Sequence, residues 1–379
     1  MPTAYPFIDI EIDKSGLTPR VQPSSGVVAL VGTTPADAAG GTAAVNVPHV
    51  VTTPDEVRTL FGADNALHKA LLLALGQDLM PQKIYGVRAK GTEYAAALAA
   101  LEAVDDVSVV CLAGVTDIGA ENPLTGLNAL RAHVEEMSLK GLRRIGVAMI
   151  DPKVEKSADY VSKVVTPALV KLKSDAGRMV LVAARGADGD VAAATAAVIA
   201  AHPPHVSLLL KQVKGVRIPK EKQYGPSEIA ELSNAGINPV IDPALIPGEG
   251  LHLADGQTFS TDPAYGYIDV RRVVDHVEFL LRAGLIGSIG DARITRTGLT
   301  LLKQRTESIL GGLLRDTVIA GFSVGIPVLD VLGRPESAWT EPDRDLVRTA
   351  RGQRAVDIHT SITYGPAVHR LHVKLAVTY

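Results

Sequence analysis

The sequence has little of several features that mark common functional classes. Aromatic residues make up only 4% of its 379 residues, which argues against broad stacking platforms for single-stranded nucleic acid. The formal charge of −3 provides no general attraction to DNA or anionic lipid, so we expect no nucleic acid partner. No stretch approaches the roughly 18 apolar residues of a bilayer-spanning helix, and we expect no membrane insertion. The N-terminus lacks the basic head and apolar run of a signal peptide, which predicts synthesis in the cytoplasm.

Residues for redox, metal and phosphate chemistry are also scarce. Cys111 is the only cysteine, so no intrachain disulfide can form, and its apolar surroundings predict a buried side chain rather than a nucleophile. The histidines are scattered: neither His202 with His205 nor His369 with His372 has the spacing of a metal site. No phosphate-binding or dinucleotide-binding glycine motif occurs. We therefore expect no cofactor and no metal centre.

Hydrophobic residues make up 46% and charged residues 21%, which is typical of a folded chain, and the length allows two or three domains. In the first half, strand-like apolar runs alternate with helical segments. The predicted strands are 27–31, 83–87, 107–113, 144–150, 179–184 and 206–210; the predicted helices are a short one capped by Thr53, then 66–79, 125–139, 158–174 and 191–201. This order predicts an α/β fold with a mostly parallel, helix-covered sheet.

The second half has a different pattern. Residues 215–265 are rich in glycine and proline and predict connecting loops. Two long amphipathic helices follow, the first with an apolar stripe over 270–281 and the second over about 295–320. The charged face of the first helix consists of Arg271, Arg272, Asp275, Glu278 and Arg282.

A short charged helix is predicted near 343–351. Its residues Arg344, Arg348 and Arg351 have helical spacing and therefore share one face. Two interpretations stay open: a solvated helix, and a basic stripe that meets an acidic partner.

The two ends of the chain both alternate between apolar and charged residues, which predicts half-buried strands. One strand is acidic on its polar face and the other is basic, so the two are complementary. The N-terminal strand contains Ile8, Asp9, Ile10, Glu11, Ile12 and Asp13, and the C-terminal strand contains Arg370, Leu371, His372, Val373, Lys374 and Leu375. Residues 14–25 resemble a flexible arm, and strands on such arms can add to a sheet of another subunit. This pattern indicates an assembly protein rather than an enzyme.

Two features favour a soluble α/β enzyme as a rival. Residues 321–325 (GFSVG) match the spacing of a nucleophile elbow around Ser323. That motif needs a strand before the serine and a helix after it, whereas here a helix is predicted before it and a strand after it. Gly321 is better explained as a helix cap. Asp117, Asp151 and Arg185 follow predicted strands, where an α/β enzyme places its acid, base and anion clamp. The alternative is that Asp151 begins a turn and Arg185 is solvated.

Three segments resemble contractile tail sheath proteins. They are residues 232–240 (LSNAGINPV), residues 255–258 (DGQT) and residues 267–275 (YIDVRRVVD). The first 90 residues agree more loosely, and residues 90–215 carry no matching motif.

This resemblance implies a subunit of a phage tail, a tailocin or an extracellular injection system. Such subunits form stacked, usually hexameric rings around an inner tube, and exchange strands through both arms. The implied partners are further copies of the chain, the inner tube protein, and baseplate and tail terminator proteins, within a virion tail or injection particle. The implied domains are an N-terminal arm (1–24), an outer α/β domain (25–254), an inner domain of two long helices and a sheet (255–365), and a C-terminal arm (366–379).

The resemblance implies no catalytic activity and no cofactor. We interpret Arg344, Arg348 and Arg351 as the residues that face the tube. A sheath-like baseplate or lattice subunit is the alternative among assembly proteins, and the enzyme that uses Asp151 and Arg185 is the alternative from another class.

Overall fold

The computed structural model of the chain describes residues 26–35, 38–121, 124–246 and 250–369. The strands are β1 (Val27–Thr33), β2 (Pro48–Val51), β3 (Lys83–Ala89), β4 (Val109–Leu112), β5 (Ile145–Met149), β6 (Met179–Ala183), β7 (Gln212–Val213), β8 (Ile237–Ile241), β9 (Leu251–Leu253), β10 (Gly321–Gly325) and β11 (His359–Thr363). The helices are α1 (Pro54–Phe61), α2 (Ala66–Leu75), α3 (Tyr94–Ala100), α4 (Gly126–Leu139), α5 (Tyr160–Val164), α6 (Pro167–Val170), α7 (Val191–Ala201), α8 (Pro226–Asn234), α9 (Ile268–Leu285), α10 (Arg296–Arg315), α11 (Pro327–Leu332) and α12 (Glu341–Gln353).

Most strands belong to one nine-stranded sheet in the order β2-β3-β1-β4-β5-β6-β8-β9-β7. The strands from β3 to β8 in this order run parallel, whereas β2 at one edge and β9 and β7 at the other pair antiparallel. The predicted α/β class and the mostly parallel sheet are therefore confirmed.

Strand β1 shows why the sheet lies between two hydrophobic layers. Its side chains alternate, so Val28 and Leu30 contact one core and Val27, Ala29 and Val31 contact the other. Helices α2 and α7 cover the first face, and α3, α4 and α8 cover the second. A strand that is buried on both faces takes apolar residues at every position, which explains its continuous apolar run.

The prediction of one helix over residues 158–174 is wrong. The structure has two short helices, α5 and α6, that are separated by Val165 and Thr166. Pro167 has no N–H to continue α5 and instead opens α6, where the Thr166 hydroxyl accepts a hydrogen bond from the Leu169 amide at 3.2 Å.

Two predictions between residues 200 and 265 are also wrong. Residues 206–210 form an irregular loop that ends in a turn instead of a strand, and Leu210 has a left-handed backbone with a φ of 56°. The predicted loop region contains α8, β8 and β9. Although Pro239 within β8 has no N–H to donate, its carbonyl accepts a hydrogen bond from the Ala254 amide at 2.8 Å, and the strand continues through it.

The two long helices near the C-terminal end are confirmed, and they support the two-stranded sheet of β10 and β11. Val273 and Val277 of α9 and Leu310 and Leu313 of α10 form the core beneath that sheet. Helix α10 ends at Arg315 rather than near residue 320.

A glycine in β3 allows close packing of the first helix. A Cβ atom at Gly86 would lie 2.6 Å from ring atoms of Phe61, which is fully buried. We predict that Gly86→Ala lowers the free energy of unfolding by about 1–3 kcal/mol, because the ring has to move within a close-packed core. Urea unfolding measures the change.

Gly352→Ala is the matched control. Nothing lies within 4 Å of a Cβ atom there, and the residue is in α12, so alanine should leave stability unchanged or raise it by up to about 1 kcal/mol. Equal stability of Gly86→Ala and the wild type would contradict the packing at Phe61.

Candidate assembly interface

The small sheet pairs β10 and β11 antiparallel, with Phe322 opposite Ile362 and Val324 opposite Thr360. Phe322, Val324 and Ile362 lie on the face that packs against α9 and α10. The other face is exposed and polar: Ser323 and Ser361 are directly opposite each other, with their hydroxyl oxygens 2.7 Å apart. Apolar residues therefore fix this sheet on its helices and leave one side open.

The nucleophile-elbow spacing around Ser323 does not form an elbow. Ser323 lies in the middle of β10, and its hydrogen-bond partner is a serine. The predicted helix cap at Gly321 is also wrong, because Gly321 is the first residue of β10, six residues beyond the end of α10.

The edges of the small sheet are its most distinctive feature. Within the described part of the chain, β10 and β11 pair only with each other, so the outer edge of each strand has no strand partner. A two-stranded sheet is marginally stable by itself, and folded proteins normally cover open edges. The small sheet is therefore suited to accept an additional strand at either edge.

The chain that follows β11 is held at two points. The Tyr364 hydroxyl donates a hydrogen bond to the Asp269 carboxylate at 2.7 Å, and the His369 ring nitrogen Nε2 lies 2.8 Å from the Ser207 hydroxyl. Burial, together with the bond to Asp269, raises the pKa of Tyr364, so the hydroxyl stays protonated as a donor. His369 also contacts the Tyr267 ring edge to face at 5.2 Å. These contacts fix where the C-terminal segment leaves the folded body, beside the first turn of α9.

The residues predicted for strand exchange lie outside the described residues. They are Ile8, Asp9, Ile10, Glu11, Ile12 and Asp13 at one end and Arg370, Leu371, His372, Val373, Lys374 and Leu375 at the other.

The three arginines of α12 are exposed and share one side of the helix, and the buried Val347 and Ala350 lie on the adjacent side. Arg344 lies 3.5 Å from Glu341 and Arg348 lies 2.5 Å from Asp345, so both pair within the helix. Exposed pairs of this kind are weak and exchange readily with other partners.

Helix α9 is joined to the amino ends of the parallel strands by buried ion pairs. Arg178, which precedes β6 and is almost fully buried, donates two hydrogen bonds to the Asp275 carboxylate, one of them at 2.9 Å. Arg271 donates to the same carboxylate at 2.7 Å and stacks on the Tyr265 ring. Removal of one partner from such a pair would leave a charge buried without compensation.

A second pair lies one turn further along α9. Arg143, which precedes β5, binds the Glu278 carboxylate with two hydrogen bonds of 2.8 and 2.7 Å, and Arg282 binds Glu278 at 2.7 Å. The sequence interpretation of this charged face as the side opposite the core missed these contacts. The sequence does place Arg143 and Arg178 directly before two apolar runs. That position does not show that they bind Glu278 and Asp275.

Two of the segments that resemble sheath proteins meet at Asn238, which is fully buried in β8. Its side chain accepts a hydrogen bond from the Gln257 amide at 2.7 Å and donates to the carbonyls of Gln257 and Leu181. The third segment joins them because the Ile268 amide donates to the Gly256 carbonyl at 3.0 Å. Together they fix the start of α9 on the sheet.

The predicted solvated Arg185 is wrong, and so is its use as an anion clamp. Arg185 is fully buried, binds the Glu228 carboxylate through both terminal nitrogens, and lies over the rings of Tyr160 and Tyr224. Its other nitrogen donates to the Lys222 carbonyl at 3.0 Å. A guanidinium bound in this way has no free face for a substrate anion.

The other two predicted strand-end residues, Asp151 and Asp117, lie in turns and loops. The Asp151 carboxylate accepts a hydrogen bond from the Lys153 amide at 3.0 Å, so it begins a turn as one interpretation expected. Asp117 is exposed, and its backbone carbonyl accepts from the Leu127 amide. Cys111 is buried as predicted, and burial raises its pKa well above the ordinary value.

The described ranges contain neither a metal-binding cluster nor a membrane-spanning helix. No group of three or more histidine, cysteine or acidic side chains there is placed to hold a metal ion. No helix there combines the length and apolar character that a bilayer crossing requires.

Comparison with known proteins identifies the fold. No family model and no curated protein matches the sequence. A chain in the contracted sheath complex of the extracellular contractile injection system PVC matches with a TM-score of 0.68 at 14% identity, over 99% of this chain and 98% of that chain. A chain in the contracted helical sheath of the anti-feeding prophage matches with a TM-score of 0.65 at 15% identity, over 99% of both chains. A chain in the baseplate of the same prophage matches with a TM-score of 0.65 at 15% identity, over the full length of both.

These likenesses extend over essentially the whole chain. The protein therefore has the fold of contractile sheath proteins. The resemblance that the three sequence segments indicated is confirmed at the level of the fold.

The Arg185–Glu228 pair gives a test of the structural role of Arg185. We predict that Glu228→Gln lowers the free energy of unfolding by about 3 kcal/mol at pH 7, because it leaves a buried guanidinium without its counter-charge. Hydrogen bonds from Arg185 lower the pKa of Glu228. Its contribution is therefore complete above the ordinary glutamate value of about 4.3 and is lost as the pH falls through the lower folded value. Urea unfolding across an acid pH series measures both effects.

Glu231→Gln, an exposed position on the same helix, is the control and should change stability by less than about 0.5 kcal/mol. A variant of Glu228 that is as stable as this control would mean that Arg185 does not need the carboxylate.

Proposed function

We propose that the chain is the sheath subunit of a contractile injection particle. The observation that carries the proposal is the small sheet with two open edges, set in a chain whose whole length has the sheath fold. In this proposal, copies of the chain form stacked rings, hexameric by analogy with the family, around an inner tube, and contraction drives the tube through a target envelope. The particle is a phage tail, a tailocin or an extracellular injection system.

The terminal arms supply the strands that the small sheet lacks. In this proposal, residues 1–24 and 366–379 are the arms, residues 25–254 form the outer domain, and residues 255–365 form the inner domain. The acidic strand of residues 7–13 and the basic strand that begins at Arg370 occupy the open edges in neighbouring subunits.

The strength of these contacts suits a lattice that changes shape. One backbone hydrogen bond contributes about 1 kcal/mol net, so a five-residue strand such as β10 or β11 can hold an arm by several kcal/mol. The arms then act as hinges that keep subunits linked while the folded bodies rotate. The extended lattice is metastable, and contraction releases energy that is stored over many subunits.

This function involves no covalent chemistry. Arg185 and Asp151, the residues of the enzyme alternative, serve structure in the described ranges. The partners in this proposal are further copies of the chain, the inner tube protein, and baseplate and tail terminator proteins, and the chain needs no cofactor.

A baseplate or lattice subunit of the same fold is the second candidate. The full-length likeness to a chain in a baseplate structure favours it. Negative-stain microscopy distinguishes the two, because a sheath covers a tube along its whole length whereas a baseplate subunit is confined to one end.

The arms give the main test of the proposal. We predict that the purified chain polymerises into tubes by itself, and that Ile10→Pro and Val373→Pro each abolish these tubes, because proline removes a ladder donor from a pairing strand. Negative-stain microscopy counts the tubes. Circular dichroism and the unfolding midpoint of the dilute chain should match the wild type, since the proposal places both residues in contact with neighbouring subunits.

Ile10→Val and Val373→Ile are the controls, since they keep β-branched residues and should polymerise normally. Tubes as numerous in both proline variants as in their controls would exclude strand exchange by the arms.

The arginines of α12 give a separate test of tube contact. We propose that Arg344, Arg348 and Arg351 face the inner tube, where weak exposed pairs allow the sheath to release it. Replacement of all three by glutamate should leave polymerisation of the purified chain intact and should reduce sheathed tubes in particles, as counted by microscopy. The triple lysine variant keeps the charge and should behave like the wild type. Normal sheathed particles from the glutamate variant would refute the assignment.

A further inference from the structure

A cleft of about 290 Å³ lies between the amino ends of the central strands and helix α9. Val107, Val109 and Ile145 contribute apolar lining from the sheet side, and Phe279 contributes it from α9. Phe279 is 36% exposed. The lining therefore has an apolar part that is incompletely covered.

The charged groups around the cleft balance one another. Its lining includes three arginines and three acids: Arg143, Arg272, Arg282, Asp105, Asp275 and Glu278. Asp275 and Glu278 are already bound by arginines. A cleft of this kind suits an uncharged occupant with small apolar side chains rather than an anion or a cation.

The N-terminal segment enters the folded body next to this cleft. The backbone carbonyl of Val27 accepts hydrogen bonds from the amide and hydroxyl of Ser108, at 3.1 and 2.9 Å, and Ser108 lines the cleft. On the opposite side of β1, Gln82 lies against Gly26. The backbone amide of Gln82 donates a hydrogen bond to the Gly26 carbonyl at 2.6 Å. A Cβ atom at Gly26 would lie only 2.8 Å from the Gln82 side chain. The start of β1 is therefore bonded to a residue that lines the cleft, so the segment before β1 begins within reach of the cleft.

We propose that residues 21–25 of the chain occupy this cleft, with Val21 and Pro23 as the apolar groups that fill it. The sequence there, Val-Gln-Pro-Ser-Ser, has no charge, as the balanced lining requires. Adjacent strands lie about 4.8 Å apart, and five extended residues span about 16 Å, so the segment can cross β4 and β5 and reach α9. A cavity of about 150 Å³ accepts a benzene-sized group, so this cleft has room for two small side chains.

This inference deepens the proposed function, because it assigns the point from which the N-terminal arm extends. With residues 21–25 held between the sheet and α9, only residues 1–20 are free to reach a neighbour. Tension on the arm is then borne by α9 and by the starts of β4 and β5 together, rather than by the first residue of β1 alone.

Cysteine crosslinking tests the placement in the full-length chain. Cys111 is fully buried and its pKa is raised by burial, so it should not react with the crosslinker and can be kept in the variants. The pair Val21→Cys with Phe279→Cys should give an intramolecular crosslink with a short bismaleimide in dilute, unassembled protein. The control pair is Val21→Cys with Leu245→Cys, since Leu245 is 95% exposed and does not line the cleft. The control pair should give an intramolecular crosslink in a yield at least tenfold lower than the pair with Phe279→Cys. Equal yields from the two pairs, no crosslink, or a crosslinked dimer in place of the monomer would overturn the proposal.

A second measurement separates this inference from the proposed function. Val21→Asp should lower the unfolding midpoint of the dilute chain by about 2–4 °C, because it places a charge in an apolar site. Ile8→Asp, in the predicted exchange strand, should leave that midpoint unchanged and abolish polymerisation. An unchanged midpoint for Val21→Asp refutes the cleft assignment alone, whereas normal tubes from Ile8→Asp refute the strand exchange alone.

Discussion

The buried pair of Arg178 with Asp275 is the interaction on which the arrangement of the chain depends. It joins the amino end of β6 to the middle of α9, and the two residues are separated by 97 positions in sequence. Transfer of two charges from water costs several kcal/mol, which the pair recovers only through close, doubly hydrogen-bonded geometry. Such a pair adds little net stability, but it allows one orientation of the helix and disfavours others. We infer that its main contribution is to set the angle at which α9 leaves the sheet.

That orientation matters because α9 contacts three parts of the molecule. Its first turn presents Asp269 to Tyr364, where the C-terminal segment leaves. Its charged face binds the sheet through Asp275 and Glu278, and its apolar face supports the small sheet through Val273 and Val277. Since packed elements move as bodies rather than deforming continuously, a load applied to the small sheet passes through this helix to the nine-stranded sheet.

Local sequence patterns predicted the elements whose stabilising contacts are also local or repetitive. Helix α7 has the predicted bounds because proline stops it and Asp190 caps it, and β1 was evident from a run of apolar residues. Strand β8 was not predicted, because it contains Pro239 and lies in a region that is rich in glycine and proline. Composition alone does not distinguish a strand with a proline from a loop. The burial of the charged face of α9 could not be predicted, since its partners Arg143 and Arg178 lie more than 90 residues away.

In the described residues, arginines at the ends of the parallel strands are bound to the protein itself. In open parallel sheets, ligands bind beyond the carboxyl ends of the strands. Here Arg185 fills that position after β6 and is bound to Glu228 and to backbone carbonyls. At the amino ends, Arg144 donates to the carbonyls of Leu101 and Val104, at 2.8 and 2.7 Å, and Arg178 binds Asp275. Such arginines therefore occupy both ends of the strands, and only Arg185 lies at a carboxyl end, where an α/β enzyme would bind its substrate. Among the described residues, both outer edges of the small sheet lack a strand partner. Open edges of this kind present backbone N–H and C=O groups that can pair with a strand of another chain.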